Sequence, residues 1–179
     1  MRLRLADEID RLRRAAGAVT AGRLVVRVDR PGPATVATVA FDRAAPLRAA
    51  GALRGSSLAV RLTYRDETAA SVGESDAFVL AGYAFALLDR AGTELLAYHW
   101  HPVSPFPTPS FPHLHVSAAL RPAAADGSRG VVPLDKVHLP TGPVPLAAFA
   151  RMLVEELGVE PRAADWATRL RPDPGAPPG

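Results

Sequence analysis

The β-signals of this chain come in neighbouring pairs joined by short turns, and that arrangement limits the fold more than any other feature. RLVVRV (23–28) and TVATVAF (35–41) flank a Pro-Gly turn and predict a hairpin. FVLAGYAFALL (78–88) runs through DRAG into TELLAYHWH, a second hairpin turning near Asp89 to Gly92. Between them SLAVRLTY (57–64) alternates with period two, the pattern of a strand with one wet face. HLHVSAAL (113–120) is the next strand. Strands joined by tight turns pair antiparallel, and no stretch repeats a βαβ unit, so a doubly wound parallel sheet is not expected.

Helices bracket the strands. Leu5, Ile9, Leu12 and Ala16 share one face over 5–16, with Asp7 and Glu8 in the first turn and Gly17 placed to end it. In VPLAAFARMLVEELG (144–158), Leu146, Phe149, Ala150, Leu153, Val154 and Leu157 follow helical spacing before Gly158. The expectation is a single α+β domain over 1–170. It would hold a mainly antiparallel sheet of roughly five to seven strands, a short N-terminal helix, and a C-terminal helix at 145–157 packed on one face. Residues 42–56 give no clear signal. The Pro- and Gly-rich end, 171–179, has too little to bury and is expected to be disordered.

Composition narrows the class without choosing a function. With 48% apolar and 22% charged residues among 179, the chain suits an ordinary soluble domain with a real core. The net charge of +3 permits an anionic partner without demanding one, because the bases are scattered apart from Arg11, Arg13 and Arg14. Having no cysteine excludes disulfides, thiolate zinc sites and a cysteine nucleophile. The start, MRLRLADEIDRLRR, lacks the apolar core of a signal peptide, and the longest apolar run (77–88) is too short to span a bilayer. A cytoplasmic protein with no membrane partner is the default expectation.

Four of the five histidines fall within AYHWHPVSPFPTPSFPHLHV (97–116), and the fifth, His138, follows not far downstream. Residues i and i+2 of a strand share a face, so His99 pairs with His101 and His113 with His115. Symmetric pairing about the proline-rich loop 102–112 would set His101 opposite His113 and His99 opposite His115, four imidazoles in a rectangle. Tyr98 and Trp100 would then point the other way, into the core. Such a cluster suits zinc or another divalent metal, held by His99, His101, His113 and His115. It equally suits metal-free acid–base catalysis of the kind that cleaves RNA through its 2′-hydroxyl, or, partly charged, the holding of a phosphate.

Plainer readings stand beside these. Histidine pairs occur on exposed strands, and proline neighbours can mean only a rigid hairpin. His138 and Lys136, the only lysine, could join the site, Lys136 as a substrate-binding residue, or could simply lie in a solvated loop before the helix. Metal-bound histidines usually donate their second nitrogen to a carboxylate or carbonyl, and the lack of acidic residues between Glu94 and Asp126 weighs against an obligatory metal. There is no Gly-rich phosphate loop, no His-Glu-x-x-His and no nucleophile elbow.

The run from the 83–88 strand through LLAYHWHP to FPHLHV, followed by a loop and a helix, resembles the TumE-like family of small bacterial toxin–antitoxin proteins. The resemblance spans residues 78–160, and His113 and His115 match its Pro-His-x-His segment best; the doubled HWHP arm is not a feature of that family, and the first 60 residues contribute nothing to the match. It implies a toxin-like, RNA-directed activity and an antitoxin or other protein partner. On that reading His113 and His115 are the central catalytic residues of a nuclease, with His99, His101 and His138 assisting. The competing class is a non-catalytic module whose histidine hairpin grips a partner.

Overall fold

A computed structural model describes residues 4–30, 35–66, 78–102, 109–117 and 138–171 of the chain. In chain order the elements are α1 (Leu5–Val19), β1 (Leu24–Asp29), β2 (Val36–Phe41), β3 (Ala45–Pro46), β4 (Ser57–Asp66), β5 (Phe78–Leu88), β6 (Glu94–Trp100), β7 (His113–Val116), β8 (Leu139–Pro140), α2 (Leu146–Glu155) and α3 (Trp166–Arg169), with a 3-10 turn at Gly51–Leu53. The strands form one sheet in the order β1-β2-β4-β5-β6-β7-β8, with β3 paired to β4 and every pairing antiparallel. This is the expected α+β architecture. The sheet has eight strands rather than five to seven because β3 and β8 are two-residue strands, too short to carry any periodicity.

The two faces of the sheet differ in side-chain size. One carries Val39, Leu58, Val60, Leu62, Tyr83, Phe85, Leu87 and Leu96, and the helices pack on it. Phe149 of α2 stacks on Phe85 at 6.1 Å between centroids and meets Tyr98 nearly perpendicular at 5.6 Å. Each such buried side chain stabilises the fold by about 1.5–3 kcal/mol. Two tyrosines tie elements together at this layer. The Tyr64 hydroxyl donates to Glu8 Oε1 (3.2 Å), and the Val144 amide donates to the Tyr83 hydroxyl (3.0 Å). Burial raises the phenol pKa of both. Tyr98 and Trp100 belong to this helix-facing side, as alternation predicts.

Helix α1 does not stop at Gly17 but continues to Val19. Ala18 and Val19 are fully buried, and their packing outweighs the cost of about 1 kcal/mol for glycine inside a helix. Thr20 ends the helix: its hydroxyl donates to the Pro46 carbonyl (2.8 Å) while its amide still bonds Ala16 O (2.9 Å). Helix α2 is shorter than the expected 145–157, and Gly158, with φ of 68°, turns the chain away after it. Among the described residues no helix is long and apolar enough to cross a membrane. Lys136 and the 172–179 part of the tail lie outside the described residues.

Candidate metal centre

The opposite sheet face is built largely from small residues, with Arg61 of β4 standing opposite Ala84. Ala59 of β4, Gly82, Ala84 and Ala86 of β5 and Ala97 of β6 leave the floor low, and the histidines stand at one end of it. His99 lies directly opposite His113, and Ala97 opposite His115. This corrects the symmetric register, which set His101 against His113 and His99 against His115. The ladder is displaced by two residues, an even shift that keeps every side chain on its face, so alternation is blind to it. His101 falls beyond the end of β6, where Pro102 follows it, while the Trp100 indole is held by the Ser110 carbonyl at 3.1 Å.

The fourth corner is taken by His138. Strand β8 pairs Leu139 with Leu114 and Pro140 with His113, and one step further along that ladder His138 sits beside His115. His138 Nδ1 and His115 Nε2 are 2.9 Å apart, a hydrogen bond. His138 is therefore carried by the sheet rather than by a free loop before the helix. His101 is at the exposed rim, its ring centroid 5.6 Å from that of His99.

His99, His113 and His115 form the tightest group, each offering a ligand nitrogen within 4.8 Å of the others. A tetrahedral zinc ion with bonds of 2.0–2.1 Å sets its nitrogens about 3.4 Å apart. The half-buried His99 and His115 rings would have to turn to close that difference. The His113 ring is held in place: it is 2% exposed, and its Nδ1–H donates to the Phe111 carbonyl at 2.8 Å. That bond selects the tautomer whose Nε2 lone pair is free for an ion.

Glu94 is the site residue that sequence reasoning missed. Its Oε2 is 3.6 Å from His99 Nε2 and its Oε1 is 3.6 Å from His115 Nδ1. Glu94 and His99 are five positions apart, an odd spacing that puts them on opposite faces of a regular strand. The β5–β6 ladder, however, passes from Leu87↔Leu96 to Leu88↔Glu94, so Leu95 is an extra residue on β6. This bulge reverses the alternation and returns Glu94 to the histidine face. Ala97, between them and fully buried, is too small to obstruct the carboxylate. A carboxylate beside the histidines is thus supplied from the start of the same strand.

The electrostatics of the cluster favour neutral rings. Burial first, then His115, His101, His113 and His138, pull His99 down from 6.5 to about 4. Burial also lowers His101, aided by His113 and Arg61, and lowers His115, aided by His113, His138 and His101. The Glu94 carboxyl is raised by its own burial. Imidazoles that are neutral at pH 7 offer lone pairs to a metal without proton competition. Neutral rings themselves offer little to a phosphate, which needs positive charge; on this face Arg61, opposite Ala84, supplies a cation and Glu94 opposes it.

No family model, curated protein or solved structure matches this chain.

Proposed function

We propose that this chain is a metal-binding protein in which His99, His113 and His115 hold one divalent transition ion. The observation that carries the reading is the convergence of three imidazole nitrogens within 4.8 Å. A nitrogen donor set with a carboxylate alongside and no thiolate suits zinc first, and copper(II), nickel or cobalt next. His138, 2.9 Å from His115 through their ring nitrogens, would serve as a fourth ligand or yield that position to water, and an open position facing solvent is the arrangement of catalytic rather than purely structural zinc. There a bound ion would supply a hydroxide at neutral pH and polarise a phosphoryl or carbonyl oxygen. The test is elemental analysis of protein purified without a histidine tag. Near-stoichiometric metal, lost in His113→Ala and His115→Ala, is expected; wild-type protein that stays metal-free after equilibration with zinc ends the reading.

A second reading is a toxin-like ribonuclease working through the histidines themselves and restrained by an antitoxin. It is supported by the Pro-His-x-His resemblance at His113 and His115, and by the 2.9 Å His115–His138 hydrogen bond, a ready proton-transfer pair. The lowered pKa values of His99, His101 and His115 count against it, because a general acid must hold a proton near neutral pH. Growth of a bacterial host after induction separates the cases. Arrest by wild type and relief by His115→Ala are expected of a nuclease, whereas equal growth leaves a non-catalytic binding module.

A further inference from the structure

Strand β1 ends the strand order, and among the described residues nothing pairs with its outer edge. Its hydrogen-bonding phase follows from two bonds. Asp42 N donates to Arg23 O (3.4 Å) between β2 and β1, and Asp66 N donates to Thr35 O (2.9 Å) on the β4 side of β2. Antiparallel ladders alternate, so even-numbered residues of β2 bond to odd-numbered residues of β1. Leu24, Val26 and Val28 therefore turn their N–H and C=O groups outward. Val28 is also 53% exposed, although it lies on the side of the strand that buries Leu24.

The segment from 23 to 29 reads RLVVRVD and is complementary to itself when reversed. Placed antiparallel about Val26, a second copy sets Leu24 opposite Val28, Val25 opposite Arg27, and Arg23 opposite Asp29 at both ends. The opposed pairs of even-numbered residues are those with outward backbone groups, so the phase of the ladder and the chemistry of the side chains agree. Val28 comes to rest on the partner's Leu24. The neighbouring registers are rejected by charge, since a shift in one direction sets Arg27 against Arg27 and in the other sets Arg23 against Arg27 twice. Directly opposed like charges destabilise a strand pair. Neither Arg23 nor Asp29 has an ion-pair partner among the described residues.

We infer that the chain forms a two-fold dimer by antiparallel pairing of β1 with β1, joining two sheets into one. The contact is isologous and closes on itself, and an edge that would otherwise invite open-ended aggregation is satisfied by one partner. Both histidine clusters then lie on the same face of the joined sheet, at its two far ends.

The experiment is sedimentation velocity over a concentration series, with circular dichroism to verify folding. Wild type is expected to pass from 18.9 kDa to twice that mass as concentration rises. Asp29→Arg and Arg23→Asp are each expected to remain at the single-chain mass, and the double exchange Arg23→Asp/Asp29→Arg to restore the dimer. Wild type that stays monomeric at its solubility limit overturns the inference and leaves the edge for a strand of another protein. A dimer indifferent to Asp29→Arg, or not restored by the exchange, overturns it as well.

Discussion

Burial acts on His99 and Glu94 in one direction, toward the uncharged form, and that has a measurable consequence for the metal-free protein. Folded His99 titrates at about 4 against 6.5 for a free imidazole. Between those values the unfolded chain binds the proton that the folded chain refuses, so stability falls as pH drops through this window and is flat, for this group, above it. The raised Glu94 carboxyl acts in the opposite sense, so the His99 contribution is read by difference: in thermal melts from neutral pH down to about 4 the wild-type midpoint should fall relative to that of His99→Gln, and parallel curves contradict the assignment. Glu94 has a separate role. If its carboxylate orients the His99 and His115 rings, Glu94→Gln weakens metal binding roughly 10- to 100-fold. Competition with a chromophoric chelator measures it, and unchanged affinity would show that the carboxylate is only a neighbour.

At the scale of elements, strand β6 carries the site and two irregularities position it. The bulge at Leu95 brings Glu94 to the histidines, and Gly82 on β5 lets the end of β6 lie close. A Cβ on Gly82 would stand 2.8 Å from the Trp100 carbonyl, between His99 and His101 in the chain. Backbone must move to admit it, so Gly82→Ala should cost about 1–3 kcal/mol in denaturant unfolding. It should also loosen the histidine cluster that the same strand end supports. Wild-type stability in this variant would mean that the strands part without strain. Neither irregularity leaves a mark in the residue pattern: TELLAYHWH alternates well enough to predict a strand, but an inserted residue can be placed only when the partner strand is known.

For the molecule as a whole, α2 clamps the sheet from behind the histidines. Phe149 is 1% exposed and sits against both Phe85 and Tyr98, which flank the His99 strand position on the other face. Phe149→Ala should destabilise the fold by about 3–5 kcal/mol, read from the midpoint and slope of a denaturant curve. A loss below about 1 kcal/mol would show that the helix is not needed to hold the sheet. The folded unit is thus two layers with a division of labour, large side chains against the helices and small ones under the site.

Much of this was legible in the residues because it is local. Period-two alternation marked the strands and their faces, the i, i+3, i+4 pattern marked α2, and His-x-His spacing placed each histidine pair on one side. What required the tertiary structure was everything fixed by a partner distant in sequence. Alternation cannot see a shift of two residues, so it could not choose His113 over His115 as the neighbour of His99. Strand β8 exists only as an addition to β7, so the recruitment of His138 had no signal of its own. Helix α1 outruns Gly17 because buried Ala18 and Val19 outweigh a local preference, and Glu94 reaches the site because a bulge reverses the parity on which sequence reasoning depends.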